Sequence, residues 1–403
     1  MPQTSAQSGP ERVVVVRVIT RLNIGGPSIQ ATRLTTALEP HGFTTRLQHG
    51  RLGDGEGDMS YLIAPGADAA FIPELRRPLS PFHDYRAFVR LYDEIARARP
   101  AIVHTHMAKA GLLGRLAAAL YNFTRGSAPR ARVVHTYHGH VLEGYFSAFM
   151  TTVFITLERM LAGASDAIVA ISPAIRDELL DRHHIGVASQ YRVVPLGFDL
   201  APFAAVDDRA RQAARRDLDL PAGAPVVATV GRLTAIKQHR LFLDVIQRVV
   251  AVHPNAIALV AGDGELRSDL EAYAASLGIT SHVRFLGWRR DLAAIYGATD
   301  VFLLTSRNEG TPVALIEAMA SGVPGVSTDV GGVKDVIDSP EVGLLAPFAD
   351  ANALAAHVNA LVADPARRSA MGARARAGVI TRYSIDRLVA DMAALYRDLL
   401  RER

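Results

Sequence analysis

The sequence predicts an α/β protein of two doubly wound domains in series. Short apolar, β-branched runs alternate with longer segments of helical periodicity along the whole chain. The alternation breaks once, at 197–225, where no strand-like run occurs. With 403 residues, 49% hydrophobic and 21% charged, the chain also has the material for two cores of ordinary size.

The strands of the first series fall at Val13–Ile19, 44–48, 102–105, Arg132–Tyr137, 167–171 and 192–194, separated by helical patterns. Within this series only 53–58, an alternation of Gly and acidic residues, reads as a mobile loop. The stretch 197–225 is rich in Ala, Asp, Arg and Pro and reads as a linker carrying one helix. Strands resume at Val226–Val230, 256–261, 283–285, 301–305 and 324–327, each followed by a turn and an amphipathic stretch. Residues Ile385–Arg401 place apolar side chains at helical spacing and form one closing helix. The domains are accordingly 1–197 and 198–384, with 385–403 as the closing segment.

Composition removes several function classes. There are 0 Cys, so a disulfide framework, a thiolate metal site and a thiol nucleophile are excluded, and a reducing cytoplasm is the expected compartment. Residues 1–10 are polar and lack the order of a signal peptide. The longest uncharged apolar stretch, 144–157, is too short to span a hydrocarbon core of about 30 Å. Residues 1–200 hold 21 Lys+Arg against 17 Asp+Glu, whereas residues 201–403 hold 23 against 23, so the net +4 belongs to the first half. Single scattered Arg residues without interleaved aromatics argue against nucleic acid. A phosphorylated acceptor or an anionic membrane surface fits the excess as well. Lysine occurs only at Lys109, Lys237 and Lys334, so each is a choice over the default Arg.

Parallel sheets bind ligands at the carboxyl ends of their strands, where loops lead into helix N-termini, and two such domains facing each other make a cleft. The strand Val226–Val230 runs into Gly231-Arg232-Leu233-Thr234-Ala235-Ile236-Lys237, after which a helix begins. Gly231 allows a sharp turn, and Arg232 and Lys237 bring a planar fork and a point charge to a helix N-terminus, a diphosphate site without a metal. Two ordinary surface cations are the plainer reading of those residues taken alone. The strand 301–305 is followed by Ser306-Arg307-Asn308-Glu309-Gly310-Thr311-Pro312 and a helix with Thr311 as N-cap, Pro312 as first residue and a stop at Gly322 and Pro324. Glu309 in the loop and Glu317 in the helix are placed to accept hydroxyl hydrogen bonds, one from a ribose and one from a hexose. The macrodipole alone also favours Glu early in a helix.

Gly231-Arg232 with Lys237, Gly262-Asp263-Gly264-Glu265-Leu266, Phe285-Leu286-Gly287-Trp288, and Glu309 with Glu317 followed by Gly331-Gly332 resemble the donor half of family 4 retaining glycosyltransferases. Asn23-Ile24-Gly25-Gly26-Pro27 resembles that family's first glycine-rich loop. His104-Thr105-His106 resembles its paired histidines, and His135-Thr136-Tyr137-His138-Gly139-His140 its cleft histidine region. The resemblance covers nearly the whole chain. It implies the GT-B fold, with the closing helix bracing the first domain, and transfer of a sugar from a nucleotide-sugar, a UDP-sugar by expectation, to a glycan or polyprenyl-linked hydroxyl. Bacterial surface polysaccharide synthesis is the expected setting.

Residue by residue, the resemblance assigns Arg232 and Lys237 to the diphosphate, Glu317 to the ribose, and Glu309 with Gly310 and Thr311 to the sugar. His138 meets the sugar near its reacting carbon, Gly25 and Gly26 line the phosphate side, and Phe285 and Leu286 border the base. No metal or other cofactor is expected. Charge stabilisation at the leaving phosphates should dominate catalysis, and the phosphate itself serves as base for same-face attack. Gln238 after Lys237, and Leu196 in Pro195-Leu196-Gly197-Phe198-Asp199, depart from the family pattern and bear on the acceptor.

Competing readings follow from the same residues. His104, His106, His135, His138 and His140 are dense enough for zinc, although they divide between two strand ends with no carboxylate at fixed spacing. A dehydrogenase fails because no Gly-x-Gly-x-x-Gly follows a strand. A nucleotide-sugar epimerase, or a carbohydrate-binding scaffold without catalysis, uses the same fold. On the acceptor side, Arg125, Arg130 and Arg132 near Tyr121 and Phe123, with the apolar stretch 145–157, suit a peripheral membrane contact. A buried core helix at 145–157 is the favoured alternative for that stretch.

Overall fold

A computed structural model describes residues 12–139 and 148–402. The chain divides into two compact units, Met1–Phe198 with Asp386–Arg403, and Asp199–Ile385.

The first unit holds a parallel sheet of β1 (Val13–Ile19), β2 (Phe43–Gly50), β3 (Ala69–Ile72), β4 (Ile102–His106), β5 (Arg132–Tyr137), β6 (Ala167–Ala170) and β7 (Tyr191–Val193), in the order β3-β2-β1-β4-β5-β6-β7. Its central strands are apolar on both faces because helices cover both, and β4 is buried along its full length despite the sequence Ile-Val-His-Thr-His. The second unit holds β8 (Val226–Val230), β9 (Ile257–Ala261), β10 (Val283–Gly287), β11 (Val301–Leu304), β12 (Gly325–Thr328) and β13 (Gly343–Ala346), in the order β10-β9-β8-β11-β12-β13 and again all parallel. Each order reverses direction beside its first strand, so the carboxyl ends of β1 and β4, and of β8 and β11, form the switch points where such sheets take ligands.

The predicted strands are present within one or two residues at each end, and two further strands exist. β3 and β13 are four-residue edge strands, Ala-Ala-Phe-Ile and Gly-Leu-Leu-Ala, whose small residues and short span leave no readable periodicity. The linker carries two helices instead of one, Ala201–Ala204 and Asp208–Asp217, the second capped by the Asp207 side chain. The closing helix Ile385–Arg401 belongs to the first unit and buries Leu388, Met392, Leu395, Tyr396 and Leu399.

Residues 1–10 and His140 lie outside the described residues, as do 145–147 of the stretch 145–157. What is described of it, within the helix Ala148–Gly163, is not a buried core helix. Glu158 ties the helix inward by accepting from Arg115 at 2.6 Å and from Tyr137 at 2.5 Å, while Thr152, Val153, Thr156 and Met160 face outward. Among the described residues no helix is long and apolar enough to cross a membrane.

Candidate active site

In the second unit the loops after β8 and β11 meet. Lys237 Nζ lies 2.6 Å from Glu309 Oε1, and the Ser306 hydroxyl donates to the same oxygen at 2.6 Å. Glu309 is buried, so its charge is held by one cation and one hydroxyl instead of water. The two loops are also laced through backbone: Arg307 N–H donates to Ile236 at 2.9 Å, and the Thr305 hydroxyl donates to the carbonyls of Lys237 and Gln238 at 3.2 Å. Arg232 is exposed, and its guanidinium makes no hydrogen bond or ion pair among the described residues.

The glycines of this site act differently from the expectation. Gly231 has ordinary negative φ, and a Cβ there would meet nothing closer than the Lys237 side chain at 3.7 Å. The tight positions are on the loops facing it. A Cβ on Gly262, which has φ +136°, would lie 1.9 Å from the Gly231 carbonyl, and one on Gly332 would lie 1.8 Å from the Gly310 carbonyl. Gly332 N–H donates to the Glu309 carbonyl at 2.9 Å, so Gly331-Gly332 supports the Glu309 loop from behind. Glycine is required where backbone touches backbone, and the turn after β8 is shaped by that contact.

The helix starts also differ. After β8 a single 3-10 turn, Ala235–Lys237, intervenes, and the α-helix runs His239–Val252. Lys237 therefore sits before the helix, with Gln238 at φ 52° between them. After β11, Pro312 occupies the N-cap position and Val313 is the first residue of the helix Val313–Ala320, so Thr311 lies one position too early to cap it. The N–H groups of the first turn consequently have no side-chain cap.

Glu317 lies one turn into that helix and does not join Glu309. Its Oε2 accepts from the Tyr296 hydroxyl at 3.0 Å, and burial pushes its carboxyl up to about 7 against the partial relief of that bond. Leu286 lies on β10, partly buried against a cluster containing Ile257 and Leu259.

In the first unit Gly25 and Gly26 stand at the start of the helix Gly26–Ala37, and a Cβ on Gly26 would meet Leu196 Cδ1 at 2.5 Å. The departure from the family pattern at Leu196 thus lies against the first glycine loop. The histidines separate by sheet face. His104, His106 and His138 share one face: His106 Nδ1 lies 2.9 Å from His138 Nε2, and His104 bonds the Thr136 and Tyr396 hydroxyls at 2.7 and 2.6 Å. His135 is on the other face, bonded to Thr105 at 2.8 Å. Burial followed by the nearby Arg17 charge pushes His138 down to about 3. Among the described residues no three His, Asp or Glu side chains converge as a metal site.

Sequence reasoning missed four participants. Ser306 and Tyr296 bond the two carboxylates, Arg17 contacts two histidines, and His239 is buried beside Lys237 with Nδ1 unpartnered, its pKa pushed down to about 4 by burial and then by that lysine. The adjacency of His239 to Lys237 was visible in the sequence; the others are not. The three lysines each pair with a carboxylate, Lys109 with Asp84 at 2.7 Å, Lys237 with Glu309, and Lys334 with Asp329 at 3.3 Å.

Two parallel α/β units, the second ending its central strands in a cation loop and a carboxylate loop, have the fold of the GT-B glycosyltransferases. Anabaena HepE, solved with UDP, resembles this structure with a TM-score of 0.81 over 96% of this chain and 100% of its own, at 18% identity. WaaG, a glycosyltransferase of lipopolysaccharide biosynthesis, does so with a TM-score of 0.70 over 95% and 99%, at 15% identity. In sequence, residues 24–202 match the family model described as Glycosyltransferase Family 4, and residues 210–378 that described as Glycosyl transferases group 1. A D-inositol 3-phosphate glycosyltransferase of Kineococcus radiotolerans is 30% identical over 92% of this chain and 86% of its own. The Escherichia coli UDP-Gal:alpha-D-GlcNAc-diphosphoundecaprenol alpha-1,3-galactosyltransferase is 28% identical over 85% and 87%. The chain belongs to glycosyltransferase family 4 and is a glycosyltransferase. That membership decides against the epimerase and the non-catalytic scaffold.

Proposed function

We propose that the enzyme is a retaining, metal-independent transferase that moves a sugar from a UDP-sugar to a hydroxyl of a lipid-linked or glycan acceptor, at the cytoplasmic face of a bacterial membrane and in surface polysaccharide synthesis. The observation that carries this reading is the Lys237–Glu309 pair at 2.6 Å, held between loops whose glycines permit only close backbone contact. A diphosphate arriving at the loop meets Arg232 unpaired and displaces or shares Lys237, so two cations neutralise the charge that builds on the leaving nucleotide. Uncapped N–H groups at Val313–Ala320 add donors. Glu317 takes the ribose hydroxyls, Glu309 with Gly310 and Thr311 takes the sugar, and Leu286 borders the base. In the first unit Gly25 and Gly26 line the phosphate side, and His138 meets the sugar near its reacting carbon. No base among these residues is required, because a departing phosphate oxygen can accept the proton of the attacking hydroxyl.

UDP is favoured by HepE, solved with UDP, and by the Escherichia coli relative, whose name gives a UDP-sugar donor and a diphosphoundecaprenol acceptor. A peripheral, anionic-membrane contact has support at a different place from the one expected. Arg130 and Arg132 both pair with Asp166, at 2.8 and 2.9 Å, which spends much of that cluster. Exposed Leu79, Phe82 and Tyr85 instead stand around the start of the helix Pro81–Ala98 with Arg76 and Arg77 before it and Arg86 and Arg90 along it, the last two sharing the single carboxylate of Glu74 at 3.3 Å. An apolar tip ringed by Arg suits a headgroup layer. Mass spectrometry of products from a panel of nucleotide-sugars, with polyprenyl-diphosphate-linked and soluble acceptors, tests the assignment; turnover confined to non-UDP donors or to soluble acceptors would overturn it.

A further inference from the structure

Arg17 is fully buried in the middle of β1, and no carboxylate pairs with it among the described residues. Burying a lone guanidinium is costly, so its surroundings must have a use for it. Register places it opposite His104 on β4, and the same sheet face carries His106, Thr136 and His138. Arg17 Nη1 lies 3.1 Å from His106 Nε2 and 3.4 Å from His104 Nδ1, and Nη2 donates to the Tyr396 hydroxyl at 3.1 Å.

Arginine has donors only, and this fixes every proton in the cluster. Tyr396 oxygen accepts from Arg17, so its hydroxyl donates to His104 Nδ1 at 2.6 Å, and His104 Nε2–H donates to Thr136 at 2.7 Å. His106 Nε2 accepts from Arg17, so its proton sits on Nδ1 and is donated to His138 Nε2 at 2.9 Å. His138 then carries its own proton on Nδ1, the one nitrogen of the three rings on this face that is buried and unpartnered among the described residues. It stands just past the end of β5, on the ligand edge of the sheet. A second cation beside Arg17 is opposed by burial first and then by neighbouring charge, which push His104 and His106 well below the usual range.

We propose that Arg17 is a positioning residue which, through His106, holds His138 in the tautomer protonated on Nδ1, so that a neutral histidine presents a hydrogen-bond donor to a hydroxyl or ring oxygen of the transferred sugar. The part concerning the sugar rests on the role given to His138 above. The tautomer is a property of the protein without ligand and is tested separately.

Nitrogen-15 spectra of histidine-labelled enzyme, with His138 assigned by its loss in His138→Ala, should show a protonated Nδ1 and a bare Nε2 that do not titrate between pH 5.5 and 8. In Arg17→Met, and equally in His106→Ala should the first fail to fold, His138 should populate both tautomers and titrate in that window. A proton on Nε2 in the wild-type enzyme, or an unchanged His138 signal in a folded variant, would overturn the relay. Arg17→Met should lower kcat roughly fivefold to tenfold, the size expected for one neutral hydrogen bond, with UDP affinity unchanged. In the His138→Ala background it should cost nothing further. Losses that multiply would show a merely structural role for Arg17. Full turnover in His138→Ala would remove the sugar contact while the spectra still decide the relay.

Discussion

Glu317→Gln is expected to make the resting enzyme more stable and its nucleotide binding weaker. Burial lifts the Glu317 carboxyl from its ordinary 4.5 to about 7, so the folded protein holds this proton more tightly than the unfolded chain. The sign follows from that difference. Below pH 4.5 both states are protonated and Glu317 costs nothing; stability falls as pH rises from there to about 7, and stays reduced above it. A displacement of this size corresponds to about 3 kcal/mol at pH 8. Gln keeps the shape and an oxygen for the Tyr296 hydroxyl, but has no charge to bury. The variant should therefore melt several degrees above wild type at pH 8 and together with it near pH 4.5, by differential scanning calorimetry. Ribose hydroxyls donate to an ionised carboxylate, so wild-type affinity for UDP should rise as pH passes 7. The variant should bind one to two decades more weakly at pH 8, with a flat pH profile. Equal melting of the two proteins at pH 8, or an unchanged UDP affinity in the variant, would refute the burial argument or the ribose assignment respectively.

Further outcomes are expected at the paired loops, at the phosphates and at the surface. Lys237→Ala should lower kcat by about 10²–10³, and Glu309→Gln should lower turnover without weakening UDP binding, because it removes the carboxylate that competes for Lys237; steady-state kinetics with UDP titration reads both, and a loss of UDP affinity in Glu309→Gln would refute the competition. Gly332→Ala drives a Cβ to 1.8 Å from the Gly310 carbonyl and should abolish donor binding by displacing the Glu309 loop; retained UDP binding would show that the loop yields freely. Turnover should persist in excess chelator, and loss restored by added zinc or magnesium would place a metal at the phosphates. Binding to anionic vesicles should fall in high salt and in Phe82→Ser with Tyr85→Ser, measured by co-sedimentation; binding that survives both would move the contact elsewhere on the protein.

Local chemistry made the second unit's loops legible. A β-branched run, a cation or carboxylate at its tip and a helix stop are all contained in about twenty consecutive residues, so Lys237, Glu309 and Glu317 could be placed on their elements before any contact was known. Contacts between loops were not legible. Gly231 invited an explanation by its own conformation, whereas the constraint belongs to Gly262, thirty-one positions on, pressing against the Gly231 carbonyl. The edge strands β3 and β13 escaped because a four-residue run with small residues carries no period. Arg17 is a lone charge within the apolar run Val13–Ile19, and its meaning depends on β4, on His138 and on Tyr396, 379 residues away. Density of histidines suggested a metal for the same reason: sequence shows how many rings gather, but the alternation of strand faces, which sends His135 away from the others, appears only with the register.

Pairing within the site also bears on how a donor would be received under the roles proposed above. Lys237 is already neutralised by a buried carboxylate, so the loop after β8 offers an incoming diphosphate one unspent cation, Arg232, which is exposed. Arg232 is then suited to capture and Lys237 to the later stage, since any charge that grows on the leaving phosphate competes with Glu309 for the ammonium. A competition of this kind favours the transition state over the ground state, because the phosphate oxygens become the stronger partner only as the sugar bond breaks. Glu309, relieved of Lys237 at that moment, would keep the Ser306 hydroxyl, 2.6 Å away, and on its proposed role would offer free negative charge to a carbon becoming cationic. On the roles proposed above, the 2.6 Å contact between Lys237 and Glu309 would couple departure of the phosphate to support of the sugar.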